Sequence, residues 1–329
     1  MGIVLSILFG FMPMLFFAWI LYWMDRYEKE PVILLGGVFV WGAVVAAGGA
    51  FILNSVLGLG VYLFTRSEFA TEITTGSLIA PIVEESLKGV AVLFVYVVFR
   101  KEFDSLLDGI VYAGIAALGF AATENFYYIY SYGFIESGIE GVFWMVFVRI
   151  VLVGWQHPFY SAFIGIGLAI ARLNRNRLVK IAAPLLSWGM AVSMHSIHNS
   201  LTNLLMGKGG LAFSTLVDWT GWFFVFLVIL FAIWREQRWI VNHLSDEVGL
   251  GIISAQQYWT ACSAWAQSAA RFIALWNGNY RATNRFYHLS AELAFKKQQY
   301  TLQGEGEEYL LVIEQLRKEL AELAPSALA

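Results

Sequence analysis

Gly76-Ser-Leu-Ile-Ala-Pro-Ile-Val-Glu84-Glu85-Ser-Leu-Lys88-Gly-Val, running on to Phe99, decides the fold. The stretch is long and apolar enough to be a transmembrane helix, yet two acids stand side by side near its middle. A charge near the bilayer centre costs at least ~2.5–3.5 kcal/mol, and intramembrane ionisable residues mark functional sites by default. The rest of the chain supplies more of them.

Outward from this stretch, the composition belongs to a polytopic membrane protein. Of 329 residues, 59% are hydrophobic, 16% aromatic and 14% charged; soluble domains carry ~25% charged residues. The net charge of −3 points to no nucleic-acid partner. The single cysteine, Cys262, gives no disulfide framework and no cysteine-based metal site. The apolar N-terminus lacks a basic flank and is too long for a signal peptide, so it reads as a retained span.

A span needs about 20 apolar residues. Seven stretches qualify: Ile3–Met24, Val32–Leu53, Gly76–Phe99, Asp108–Tyr130, Val148–Ala171, Ile181–Met206 and Leu216–Trp234. The fifth is interrupted by Pro158, and its upstream part, 142–147, is expected along the outer interface. Basic residues follow the first, third, fifth and seventh stretches: Arg26 and Lys29, Arg100 and Lys101, Arg172 to Lys180, and Arg235 and Arg238. The alternate loops are nearly bare. Basic loops favour the cytoplasm, which puts the N-terminus outside and the C-terminus in the cytoplasm; the expected location is the plasma (inner) membrane.

The expected fold is therefore all-α. Residues 1–240 form a transmembrane bundle of about seven spans, and residues 241–329 a small cytoplasmic helical domain. In that tail Ser254 caps a helix reaching about Trp276, with further helices near Ala282–Leu302 and Glu307–Leu323 and a glycine break at Gly304–Gly306. The second span, rich in Gly36, Gly37, Gly42, Gly48 and Gly49, suits close packing of helix backbones.

Within the spans lie Glu84, Glu85, Lys88, Glu124, Asn125, Arg149, Gln156, His157, His195, His198 and Asn199. Counted from the outer ends, Glu84, Glu124, His157, His195 and His198 fall ~9–17 Å below the surface at 1.5 Å per residue. Four helices thus bring acids and imidazoles to one layer. Glu84 and Lys88 are i,i+4 and expected to pair, with Glu85 pointing elsewhere. His195 and Asn199 share a face. Arg149 is expected to snorkel outward, and Asn125 to donate between helices. Singly, each has a bland reading: a Glu–Lys pair serves assembly as often as catalysis, and a lone histidine is more often a core residue. The shared layer favours a functional site over a structural network.

Carboxylate, imidazole and amide in a wet cavity suit hydrolysis, with a Glu taking water's proton and His and Asn donating to an oxyanion. Two His with one or two Glu also make a normal zinc set. Proton relays use the same residues, so a proton-coupled transporter remains open, as does a non-catalytic scaffold whose tail binds a protein partner.

Four motifs then resemble one family. Glu84-Glu85-Ser-Leu-Lys88 is similar to an EExxK motif and Phe120-Ala-Ala-Thr-Glu124 to an FxxxE motif. Gln156-His157-Pro158 resembles a third, histidine-bearing motif, although Val153 stands where an aromatic is common. His195-Ser-Ile-His-Asn199 is similar to HxxxN. In this order on four spans they resemble the PrsW-type intramembrane proteases, relatives of the type II CAAX prenyl proteases and bacteriocin-processing proteins, over roughly residues 10–235. The resemblance implies a membrane-embedded peptidase that cuts a membrane-anchored protein, such as an anti-sigma factor, near its outer face. It implies Glu84 as the base, Glu85 and Glu124 as supporting acids, and His157, His195 and Asn199 as water-holding or oxyanion residues. If a divalent metal such as zinc takes part, Glu84, Glu124, His157 and His195 are its candidate ligands.

Overall fold

The computed structural model describes residues 1–205, 207–303 and 307–329. The described residues are helical and contain no strand. The expected break at Gly304–Gly306 lies outside them, as does Met206 at the end of the sixth expected stretch.

The chain divides into two compact units. The first comprises Met1–Met24, Glu30–Arg172 and Asn176–Ile229, and the second Asp25–Lys29, Leu173–Arg175 and Leu230–Ala329. The first unit is built from α1 (Gly2–Met24), α2 (Val32–Val40), α3 (Ala47–Thr65), α4 (Glu68–Thr74), α5 (Ala80–Val98), α6 (Leu106–Tyr128), α7 (Ile135–Val146), α8 (Gln156–Leu173), α9 (Arg177–Leu205) and the first part of α10 (Gly207–Gly249). Wide π-helical turns join α2 to α3 (Trp41–Ala46), α4 to α5 (Thr75–Ile79), and flank α7 (Ile129–Phe134 and Phe147–Leu152).

Helix α6 is the axis of this unit. Ser105 caps it, accepting from the backbone of Leu107 and Asp108 while the Asp108 carboxylate accepts from Ser105 N. Every residue from Leu106 to Ala122 is buried. Small residues permit this. Without a hydrophobic drive between helices in lipid, close backbone approach and dispersion hold the bundle. At Gly42 a Cβ would overlap the Ala116 carbonyl, at Gly119 that of Phe39, and at Gly165 that of Gly109. The small residues of α6 thus seat the π turn of 41–46 on one side and α8 on the other.

The outward surface is apolar, as lipid requires. On α5, Leu93, Phe94, Val97 and Val98 are exposed while Glu84, Glu85, Lys88, Ala91, Val92 and Val95 are buried. On α1 the buried stripe is small or slender, with Gly2, Ser6, Gly10 and Met14 at four-residue steps. Five helical runs among the described residues are long and apolar enough to cross a membrane: Gly2–Met24, Val32–Thr65, Leu106–Leu173, Arg177–Leu205 and Gly209–Gly249. The seven stretches and these five runs differ for two reasons. Helix α5 carries three charges, and the fourth and fifth stretches fall within one helical run.

Two expectations change. The second stretch extends well past Leu53, to Thr65. The fifth stretch is not one continuous helix: it breaks at Val153, and α8 starts at Gln156. Pro158 therefore occupies the first turn of a new helix, where a missing N–H costs nothing. The segment upstream, 142–147, belongs to a helical hairpin: the chain reverses at Gly138, whose φ of 63° favours glycine, and Gly133 and Gly141 meet backbone to backbone.

In the second unit, Trp239, Leu244, Phe286, Phe295, Leu316 and Leu320 share a core. The tail helix that begins after Ser254 is interrupted. Ala255–Ala261 ends at Cys262, and a second cap, Ser263, starts Ala264–Trp276. Two further helices span Tyr280–Gln303 and Glu307–Leu323. Buried Glu247 pairs with Lys297 and with Arg317, the latter at 3.0 Å.

Gly42→Leu drives a side chain into the Ala116 backbone, and over-packing of this kind costs about 1–3 kcal/mol. The thermal midpoint in detergent should fall clearly, whereas Gly36→Leu, where a Cβ meets open space, should leave it unmoved. Equal midpoints for both variants would refute the close approach.

Candidate active site

Helix α5 brings Glu84, Glu85 and Lys88 to the inner face of the bundle. Glu85 and Lys88 are wholly buried, and Glu84 is nearly so. Lys88 Nζ donates to Glu85 Oε1 at 2.5 Å, so the ammonium pairs with Glu85 and not with Glu84, correcting the i,i+4 expectation. Glu85 does not point elsewhere. It also accepts from Ser161 Oγ of α8 at 2.7 Å and faces His195 Nδ1 of α9 at 3.0 Å. Three donors thus compensate a charge that burial alone would make costly.

Glu84 is less fully satisfied. Its Oε1 takes a long contact of 3.4 Å from Asn54 Nδ2, and its buried Oε2 has no hydrogen-bond partner. That oxygen lies 3.8 Å from His195 Nε2. Since His195 Nδ1 faces a carboxylate, the proton belongs on Nδ1 and the Nε2 lone pair points toward Glu84. The Tyr160 ring stacks on His195 at 4.8 Å and fixes its plane.

His157, in the first turn of α8, sits between two charges. Its Nε2 is 2.8 Å from Glu124 Oε2 and its Nδ1 is 3.3 Å from Lys88 Nζ. Glu124 on α6 pairs with Arg149 as well. Arg149 also donates from Nε to Asn125 Oδ1 at 2.9 Å. Arg149 is therefore held inward and does not snorkel, and Asn125 accepts where donation was expected. Asn199, one turn beyond His195, donates from Nδ2 to the Gly76 carbonyl at 2.8 Å. Glu84, Glu124, His157, His195 and Asn199 all line one polar cavity of about 470 Å³.

Residues 30–234, well over half the chain, match the PrsW-protease family, described as PrsW family intramembrane metalloproteases. The chain belongs to this family. Among curated relatives it is similar to Protease PrsW of Clostridioides difficile (34% identical over 107 residues, 32% of this chain and 43% of the relative). It is also similar to Protease PrsW of Geobacillus kaustophilus (30% over 144 residues, 44% and 56%) and of Oceanobacillus iheyensis (28% over 232 residues, 70% and 93%). The chain thus spans about half the length of the first two and nearly all of the third. No solved structure matches it. PrsW membership and the apolar helices make this an integral membrane protein.

The PrsW description raises the question of a metal, and the residues can be tested against it. Glu84, His157 and His195 each offer a ligand atom within 4.8 Å of one another. Two of the three are ready: Glu84 Oε2 is an orphaned buried oxygen, and the His195 Nε2 lone pair faces it. His157 must exchange one existing contact. Glu85 stands behind His195 at Nδ1, as a carboxylate commonly does behind an imidazole that holds a metal through its other nitrogen. The set fits a divalent ion such as zinc.

Several site residues escaped the sequence reading. Asp218, an acid inside the last apolar stretch, carried the same signal as Glu84 and was passed over. It accepts from Tyr160 Oη at 2.6 Å, and its Oδ2 lies 2.7 Å from His198 Nδ1 without hydrogen-bond alignment. His198 therefore belongs to this outer network. Asn54, Thr75 and Ser161 gave no signal, being ordinary polar residues in helices.

Lys88→Met leaves Glu85 buried and short of its cation, and breaking a buried pair costs about 3–5 kcal/mol. The variant should lose expression or thermal stability, and Lys88→Met with Glu85→Gln should recover much of it. A fully stable single variant would show that Glu85 does not depend on Lys88.

Proposed function

We propose that this chain is an intramembrane protease that hydrolyses a peptide bond of a membrane-anchored protein, of the anti-sigma-factor kind, near the outer face of the plasma (inner) membrane. The carrying observation is the unpartnered, buried Glu84 Oε2, facing the His195 Nε2 lone pair across a polar cavity. The adjacent Glu85, by contrast, has both oxygens satisfied.

In this reading water's oxygen bonds to the scissile carbonyl carbon, Glu84 takes the water's proton, and the proton passes to the departing amine as the C–N bond breaks. Glu85 orients His195 through Nδ1. Arg149 pairs with Glu124, and Glu124 in turn holds His157. Asn199, already donating one amide hydrogen to Gly76, has its second to offer the developing oxyanion. A divalent ion, when held by Glu84, His157 and His195, supplies Lewis-acid chemistry that polarises a carbonyl and eases deprotonation of water.

The reading carries an orientation. A seven-crossing bundle with the N-terminus outside puts the helical hairpin around Gly138 outside and 172–180, with the tail from 241, in the cytoplasm, where the tail can bind a protein partner. Reporter fusions at 138 and 176 should report opposite sides. Finding residue 138 in the cytoplasm would overturn this arrangement.

Glu84→Gln keeps size but cannot accept a proton at a useful rate, so cleavage should fall ~10²–10⁴-fold with expression and thermal midpoint retained. Full activity would transfer the base role to another acid. For the metal, mass spectrometry of the purified protein should find one divalent ion per chain, lost in His195→Ala. An active, metal-free protein would leave water activation to Glu84 alone.

A further inference from the structure

A second cavity opens beside the polar one. Ala47, Gly48 and Phe51 of α3 face Phe120, Phe126 and Tyr127 of α6 across a cleft of about 570 Å³. Thr123, which also lines it, donates its hydroxyl to the Ala43 carbonyl at 2.7 Å and so ties the 41–46 turn to α6. Two of the cleft's lining rings, Phe51 and Tyr127, 6.5 Å apart, are exposed on the apolar outer surface of the bundle.

Two observations connect this cleft to catalysis. Asn54, Thr75, Glu84, Glu124 and Tyr128 line both cavities, so an occupant of the cleft reaches Glu84 directly. The other large apolar cavity, walled by Trp155, Trp219 and Trp222, borders Gln156 and not Glu84. Secondly, Asn54 Oδ1 and Thr75 Oγ1 are buried and have no hydrogen-bond partner. They sit where apolar wall meets polar centre. A lipid acyl chain would leave both unsatisfied, whereas an extended peptide carries an N–H for the amide oxygen and a carbonyl for the hydroxyl.

We propose that the α3–α6 cleft is the substrate-recognition groove: it admits the target chain from the bilayer side, takes a large apolar side chain next to the scissile bond, and pairs that chain's backbone with Asn54 and Thr75. The groove selects Leu- or Phe-sized residues over Ala. The proposal rests on the proteolytic reading above.

Gly48 provides the test. It lines the groove, and a Cβ there meets open space, so Gly48→Phe fills the groove without displacing the protein. Gly60→Phe, on the same helix, also enters open space but lies off the groove. The probe is a pool of single-span synthetic peptides in phosphatidylethanolamine–phosphatidylglycerol vesicles. Their outer juxtamembrane residues are varied among Ala, Leu and Phe, and products are read by mass spectrometry. Wild type and Gly60→Phe should cut beside Leu or Phe at least tenfold faster than beside Ala. Gly48→Phe should lose that preference at least tenfold, and Thr75→Val should raise KM across the pool. Unchanged preference in Gly48→Phe, with wild type cleaving and Glu84→Gln inactive, overturns the groove and leaves the protease standing. Cleavage that survives in Glu84→Gln overturns the catalytic assignment instead, and a wild type that cuts nothing in the pool overturns both.

Discussion

The ammonium of Lys88 against the carboxylate of Glu85 is the contact on which the centre of this protein depends. Both groups are wholly buried at membrane depth, where an uncompensated charge is strongly unfavourable. The compensation is spread over three helices. Lys88 satisfies Glu85 from within α5, Ser161 adds a hydroxyl from α8, and His195 adds its Nδ1 from α9. Lys88 also reaches His157 Nδ1 and lies 4.6 Å from the centre of the Phe120 ring on α6. One ion pair therefore bears on both histidines and ties α5 to α6, α8 and α9. Glu85 takes these donors, and the neighbouring Glu84 Oε2 is left without one, as the proposed role of Glu84 as base requires.

That division of labour between adjacent acids was half visible in the sequence. The shared depth of Glu84, Glu124, His157 and His195 follows from helix rise and the ends of the apolar stretches, both of which are local properties. The pairing does not. From α5 alone, Glu84 at i−4 and Glu85 at i−3 are nearly equivalent partners for Lys88. The choice is made by Ser161 and His195, 76 and 110 residues away in the chain. Arg149 was misread for the same reason: its partner Glu124 lies on another helix, and an arginine near a helix end otherwise has every reason to reach for the interface. The π turns at 41–46 and 75–79 have no sequence signature, yet they precede the segments that carry Asn54 and Glu84. Wide turns of this kind often accompany functional sites.

Small residues govern the geometry as much as charged ones do. The glycines of the second apolar stretch read as a packing surface, and Gly42 behaves that way against Ala116. Gly48, six residues on, meets nothing and borders a cleft. Composition alone cannot separate these two uses of glycine, because each depends on what the facing helix presents. Opposite Gly42 stands the small-residue run of α6; opposite Gly48 stand Phe120, Phe126 and Tyr127.

A membrane enzyme that hydrolyses peptide bonds must reconcile two environments. Its substrate arrives through lipid, where unpaired backbone groups are costly, and its chemistry needs water. The two cavities divide these requirements. The polar one gathers Glu84, His157, His195 and Asn199 beside Arg149 and Gln156, a lining that holds water readily. The apolar one offers aromatic walls with the unpaired Asn54 and Thr75 atoms at its inner edge. Glu84 borders both. In the proposed reading, a peptide that exchanges lipid for the groove pairs its backbone before its carbonyl meets water, and of the two carboxylates at the junction, Glu84 and Glu124, only Glu84 is without an ion pair to Arg149.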